Sequence, residues 1–161
     1  MASMKYFAYG SNLDPAQMKK RVPQHQAIGV ARAPGYRLAF TKRSSGWGGY
    51  VADLLPDEAS QVWGMVYELQ ASDVSNLDHL EGGYKRRPIT VYTGDSLAQQ
   101  AEAYFVVQKE GEGAPSERYL QVIIKGARHW GLPRDYISSL VELGAKSPRG
   151  SRGSPLVDEN K

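Results

Sequence analysis

The chain has 161 residues, of which 41% are hydrophobic and 23% are charged, and this size suits a single domain with a sizeable core. It contains no cysteine, which excludes a disulfide framework, a thiolate nucleophile and a cysteine-based zinc site. The net charge of +3 is spread over short basic groups such as Lys19-Lys20-Arg21, which are interpreted as solvated surface. No apolar run approaches the roughly 20 residues of a membrane span, so we expect neither a nucleic acid nor a membrane as partner.

The N-terminal segment lacks the hydrophobic region of a signal peptide, so we expect a soluble, cytoplasmic protein. Residues 1–3 precede a second methionine and are interpreted as a cloning addition. Alternating apolar residues predict a strand over 6–9, and Asp14-Pro15 predicts the N-cap and first residue of a helix over 14–22. Between them, Gly10-Ser11-Asn12 predicts a tight turn. Its backbone N–H groups would suit a carboxylate or an oxyanion, although an ordinary strand-to-helix turn has the same sequence signal.

The middle of the chain predicts strands separated by turn residues. The predicted strands cover residues 27–33, 36–41, 49–54, 61–69, 84–93 and 100–107. Pro34-Gly35 and Pro56-Asp57 are interpreted as breaks between strands, and Gly94-Asp95 as a hairpin turn. Both alternating sets of residues in 61–69 are largely apolar, which predicts a central strand covered on both faces. Ser72 is predicted to cap a short helix that extends to about Leu80.

The C-terminal third predicts two helices. Ser116 is the expected N-cap of the longer helix and Gly131 its end, and its core face consists of Tyr119, Val122, Ile123, Ala127 and Trp130. A shorter helix is predicted over 133–143, and the polar residues 144–161 predict a disordered tail. Six or seven strands joined mostly by short turns favour a single α+β domain over residues 4–143, a small, mostly antiparallel β-barrel with flanking helices.

Glu81 is the strongest candidate for acid–base chemistry. It follows the apolar residues of the second predicted helix and precedes Gly82-Gly83, so a flexible turn would carry its carboxyl group towards the interior. Burial and the negative end of the helix would both raise the pKa of this carboxyl towards neutrality, as a general base requires. The alternative is a surface glutamate that bonds the backbone of its own loop.

Other side chains give weaker signals. His25, His79 and His129 lack the spacing of a metal site, so no metal is expected. Ser11 has no Gly-x-Ser-x-Gly elbow around it, which argues against a serine hydrolase. Tyr119 lies on the core face of its helix, so it is either a core aromatic residue or a hydroxyl that reaches a substrate.

The turn after the first strand, Tyr9-Gly10-Ser11-Asn12-Leu13, resembles the opening motif of the γ-glutamylcyclotransferase-like family. Further stretches follow in the order that the family requires. Residues 48–52 and 62–67 resemble its two central strands, and the Leu-Asp-His-Leu-Glu-Gly stretch at 77–82 resembles the segment with its acid/base glutamate. Tyr119 resembles the family's substrate-binding tyrosine, and the stretches 125–127 and 131–133 resemble the helix behind that tyrosine. The resemblance extends from residue 4 to about 143.

This resemblance implies a barrel enzyme that converts γ-glutamyl amino acids or amines to 5-oxoproline and releases the free amino acid or amine. Glu81 would shuttle the proton, and neither a metal nor an organic cofactor would be required. The implied substrate-binding residues are Tyr6, Phe7, Ala8, Tyr9, Gly10, Ser11, Asn12 and Tyr119. We expect a small γ-glutamyl molecule as the partner, and a monomer or a homodimer.

Two other functions stay open at this point. A catalytically silent ligand-binding or interaction protein could keep the barrel, although Glu81 at the matching position argues against it. A basic nucleic-acid-binding module would interleave aromatic and basic residues, which residues 85–92 show only faintly. Within the family, the acceptor could be an amino acid, an amine, an isopeptide lysine or a biosynthetic intermediate. The short stretch 82–87 implies a reduced flap over the site, and Ser11-Asn12 differs from the loop of the glutathione-specific branch.

Overall fold

The computed structural model describes residues 2–94 and 96–146. Its five strands are β1 (Ser3–Ala8), β2 (Gln26–Ser44), β3 (Gly49–Gln70), β4 (Tyr84–Thr93) and β5 (Leu97–Val106). They form a closed barrel in the order β1-β3-β2-β4-β5, in which neighbours are antiparallel except for the parallel pair of β1 and β5. The predicted α+β fold with a mostly antiparallel barrel is confirmed.

Four helices surround the barrel: α1 (Pro15–Arg21), α2 (Ala71–Leu80), α3 (Glu117–Trp130) and α4 (Arg134–Lys146). Asp14 caps α1 and Ser116 caps α3, each through its side-chain oxygen, and Gly131 ends α3 in a left-handed conformation, as the sequence predicts. The predicted cap of α2 at Ser72 is wrong. The chain passes from β3 directly into α2 at Gln70, with no side-chain cap.

The two long strands β2 and β3 replace the four shorter ones that the sequence predicts. At Pro34-Gly35 the pairing shifts register and Gly35 has a φ of +89°, so the strand bends and continues. On β3, Pro56 pairs with Tyr36 and likewise does not end the strand. The barrel therefore has five strands rather than six or seven, because a bulge lets one long strand curve around a small barrel where a break would otherwise be needed.

A 3₁₀ turn, Ser11–Leu13, joins β1 to α1 and is held from two directions. The hydroxyl of Tyr67 on β3 donates to the carbonyl of Asn12 at 2.9 Å, and the indole of Trp130 on α3 donates to the carbonyl of Leu13 at 2.8 Å. Gly126 lets α3 approach closely, since a Cβ atom there would lie 2.4 Å from the carbonyl carbon of Leu13. The barrel and the longest helix thus fix the position of this turn.

The first strand and the last helix are both longer than predicted. Ser3 belongs to β1 and pairs with Gln70, so the strand begins before Met4. Helix α4 extends to Lys146, three residues past the predicted end at 143, and the rest of the predicted tail, residues 147–161, lies outside the described residues. In the described part of the chain, no helix is long and apolar enough to cross a membrane.

Candidate active site

A cavity of about 340 Å³ lies where the 3₁₀ turn, the ends of α1 and α2, the hairpin between β2 and β3, and the start of α3 meet. All of the predicted site residues except Phe7 and Ala8 line it: Tyr6, Tyr9, Gly10, Ser11, Asn12, Glu81 and Tyr119. The charged side chains of its wall are Arg21, Lys42, Arg43 and Glu81. The cavity is thus richer in positive than in negative charge.

Phe7 and Ala8 lie in the core instead. Both side chains are fully buried among the strands. Phe7 and the carbonyl oxygen of Ala8 press against Gly64 of β3, where an added Cβ atom would lie within 2.9 Å of the Phe7 ring and 2.2 Å of that oxygen. Successive side chains of a strand point to opposite faces, so Phe7 faces away from the side that Tyr6 occupies. Ala8 shares the face of Tyr6 but is covered completely, and neither Phe7 nor Ala8 lines the cavity.

Glu81 is the C-cap of α2, and its carboxylate points inwards. Its Oε2 atom accepts hydrogen bonds from Arg21 Nη1 at 2.7 Å and from Asn12 Nδ2 at 3.4 Å, and its side chain is 13% exposed. Burial raises the pKa of this carboxyl above its ordinary value, while Arg21 and Asn12 oppose part of the rise. The geometry favours the interior acid over the alternative of a surface glutamate.

Asn12 links Glu81 to Tyr6. The side chain of Asn12 is buried, and its Nδ2 atom donates to the hydroxyl of Tyr6 at 2.9 Å as well as to Glu81. Burial, together with the nearby carboxylate of Glu81, raises the pKa of Tyr6 well above its ordinary value. Tyr6 is therefore a neutral hydroxyl at every working pH and can donate a hydrogen bond into the cavity.

Tyr119 is both a buried aromatic residue and a wall of the cavity. Its hydroxyl oxygen accepts a hydrogen bond from the backbone N–H of Ala52 at 3.0 Å, which leaves its own proton for another acceptor. The ring contacts Trp47 edge-on with the centroids 4.9 Å apart. A Cβ atom at Gly10 would lie 3.3 Å from the hydroxyl, so Gly10 keeps the turn in close contact with Tyr119.

Asp78, one helical turn before Glu81, is tied to the barrel. Arg86 of β4 binds it through two nitrogens, at 2.9 Å and 3.1 Å, and the hydroxyl of Tyr104 donates to it at 2.6 Å. The hydrogen bonds from Arg86 hold the pKa of Asp78 below its ordinary value. Asp78 therefore favours its charged form and anchors the end of α2 to β4 and β5.

The chain is similar to known proteins over nearly all of its length. The AIG2-like family model matches residues 61–140. The γ-glutamylcyclotransferase of Bos taurus is 31% identical over 164 residues, which cover 97% of this chain and 87% of that protein. The chain belongs to the γ-glutamylcyclotransferase family. The human γ-glutamylcyclotransferase is 32% identical with the same coverage, and a solved structure named γ-glutamyl cyclotransferase has a TM-score of 0.85 at 26% identity, over 98% of this chain and 99% of that one.

The γ-glutamylcyclotransferase motifs identified Glu81 and the turn but not the cation beside the acid. Arg21 belongs to a basic group with Lys19 and Lys20, and such groups were predicted to be solvated surface. Helical spacing could have indicated that Arg21 points towards the protein, because Arg21 lies three residues after the fully buried Met18 and so shares its helix face. The resemblance to the family is confirmed, whereas the roles of individual site residues stay predictions.

Proposed function

We propose that this member of the γ-glutamylcyclotransferase family converts γ-glutamyl amino acids or amines to 5-oxoproline and the free amino acid or amine. The observation that carries the proposal is the inward-facing carboxylate of Glu81, held by Arg21 and Asn12 in the wall of a cavity of about 340 Å³. A cavity of this size falls in the range of small-molecule sites. We also propose that the enzyme acts in the cytoplasm.

The reaction is an intramolecular acyl transfer. The α-amine of the glutamyl group attacks its own γ-carbonyl carbon, a five-membered ring closes, and the C–N bond to the leaving amine breaks. When the site folds the substrate so that these two atoms lie in contact, the activation barrier falls by several kcal/mol. The protein then has to take a proton from the ammonium group, stabilise the tetrahedral oxyanion and return the proton to the leaving nitrogen.

Glu81 is placed to shuttle that proton. Among residues 2–94 and 96–146, both hydrogen-bond partners of its carboxylate bind Oε2, so Oε1 is left for the proton. A pKa raised by burial brings the carboxylate closer to the pKa of an amine, and this makes the transfer less uphill. Arg21 keeps the group oriented and opposes part of the rise in its pKa.

The 3₁₀ turn supplies hydrogen-bond donors. Within the turn, the N–H of Leu13 bonds the carbonyl of Gly10 at 3.0 Å and that of Asp14 bonds the carbonyl of Ser11 at 3.1 Å. The preceding N–H groups, of Ser11 and Asn12, would hold the α-carboxylate of the substrate or the oxyanion, where one donor is worth roughly 3 to 4 kcal/mol. The hydroxyl of Tyr119 would donate a further bond.

The test of this proposal compares γ-glutamyl-alanine with two analogues in which the α-amine cannot close a five-membered ring onto the scissile amide. Purified protein should release alanine and 5-oxoproline from γ-glutamyl-alanine, which also rules out the catalytically silent alternative. N-acetyl-γ-glutamyl-alanine should be inert because its nitrogen cannot attack, and the α-linked isomer should be inert because attack would form a three-membered ring. Glutamate as the main product, or brisk turnover of the acetylated compound, would show a hydrolase whose nucleophile is water or Ser11.

A further inference from the structure

Lys42 of β2 is a cation in the cavity wall that the proposed chemistry does not use. Its side chain is half-buried, and in the portion of the chain that the structure describes, no hydrogen bond or ion pair involves it. The other cations of the wall differ from it. Arg21 is committed to Glu81 at 2.7 Å, and Arg43 is exposed and lies 3.9 Å from Glu110.

A β-bulge sets the position of Lys42. The pairing of β2 with β3 shifts by one residue between Phe40 and Lys42, so Lys42 lies opposite Val51, another residue of the cavity wall. Thr41 is the extra residue, and its hydroxyl donates to the fully buried Asp53 at 2.8 Å. Bulges of this kind redirect side chains and are common beside active sites. Without the bulge, Thr41 would take the place opposite Val51.

The turn after Glu81 makes room for the lysine. Gly83 has a φ of +88°, and a Cβ atom there would lie 2.2 Å from Cε and 3.2 Å from Nζ of Lys42. The aliphatic part of Lys42 therefore packs on the backbone of the turn that carries the acid. Lys42 lines the cavity from β2, whereas Arg21 and Asn12 bond Glu81 from the segment that follows β1.

The charges of the substrate indicate what this ammonium binds. A γ-glutamyl amino acid has two carboxylates, one on the glutamyl group and one on the leaving amino acid. The N–H groups of the 3₁₀ turn are the proposed donors for the first, which leaves the second without a partner in the proposed chemistry. We propose that Lys42 binds the carboxylate of the leaving amino acid, so that the site selects γ-glutamyl conjugates of α-amino acids over those of simple amines. This inference rests on the proposed cyclotransferase activity and specifies its substrate class.

The test compares two substrates that differ only in that carboxylate, γ-glutamyl-alanine and γ-glutamyl-ethylamide. Lys42→Met keeps the aliphatic packing on Gly83 and removes the charge. Lys85→Met is the matched control, because Lys85 is exposed outside the cavity and its replacement changes the net charge of the protein equally. Initial rates of 5-oxoproline formation give kcat and KM for each protein and substrate.

For γ-glutamyl-alanine, Lys42→Met should lower kcat/KM about 10- to 100-fold, the range of a lost charge-assisted hydrogen bond, and mainly by raising KM. For γ-glutamyl-ethylamide the same change should be less than about twofold, and Lys85→Met should leave both substrates unaffected. An equal loss on both substrates would mean that Lys42 binds the glutamyl carboxylate. No loss on either substrate would mean that Lys42 binds neither carboxylate. Each of these two results would overturn the role of Lys42 and leave the proposed cyclotransferase activity intact. Unaltered protein that forms no 5-oxoproline from either substrate overturns the proposed activity and this inference with it.

Discussion

Replacing Glu81 with glutamine tests the proton shuttle directly. The amide has the size of the carboxyl group and its oxygen can still accept the hydrogen bond from Arg21, but it cannot take a proton from an ammonium group. General acid–base catalysis contributes about 10²- to 10⁴-fold, which is roughly 2.7 to 5.4 kcal/mol at about 1.36 kcal/mol per factor of ten. We therefore expect kcat for γ-glutamyl-alanine to fall at least about a hundredfold.

The fold should survive this change. The Glu81–Arg21 ion pair that it removes is partly open to solvent, with side-chain exposures of 13% and 24%, so water can solvate the guanidinium that is left behind. A pair at this exposure contributes on the order of 1 kcal/mol. For a domain of this size that corresponds to a fall in Tm of roughly 2 to 4 °C.

The assay measures 5-oxoproline release at saturating and limiting substrate, with thermal unfolding of each variant as the control for folding. Glu81→Asp is the matched variant, because it keeps a titratable carboxyl group and should retain more activity than Glu81→Gln. A folded Glu81→Gln protein with more than about a tenth of the original kcat would refute the shuttle.

Arg21→Met should move the acidic limb of the pH profile of kcat/KM to higher pH, because Arg21 lowers the pKa of Glu81 and Glu81 must be deprotonated to act as the base. An unmoved limb would show that Arg21 does not affect the pKa of Glu81. Tyr119→Phe should lower kcat/KM about tenfold and cost about 1 to 3 kcal/mol of unfolding free energy, since the N–H of Ala52 loses its acceptor. Unchanged kinetics and denaturant midpoint would make Tyr119 a core aromatic residue only. Gly126→Ala should destabilise by about 1 to 3 kcal/mol, because its Cβ would overlap the backbone of the 3₁₀ turn. A higher Tm, the usual result of Gly→Ala in a helix, would be evidence against that close packing.

The sequence alone predicted the features that depend on neighbouring residues. Asp14 and Ser116 cap their helices and Gly131 ends α3 because each acts on backbone groups within a few positions of itself. The hairpin of β4 and β5 and the burial of both alternating sets of β3 residues over 62–69 follow from alternation and apolar content. The ordered motifs, including the turn at Tyr9 and the segment ending at Glu81, predicted the family correctly.

Tertiary structure decided the features that depend on distant residues. Pro34-Gly35 looked like the end of a strand, but pairing with β3 along the whole of β2 stabilises a bend in its place. Arg21 looked like solvated surface, yet it binds Glu81, which lies 60 positions away in the chain. The side chain of Phe7 was expected at the site, but the barrel turns it towards Gly64. Local sequence signals describe one turn or one strand, whereas these contacts exist only after barrel closure brings β1, β2 and α2 to one cavity.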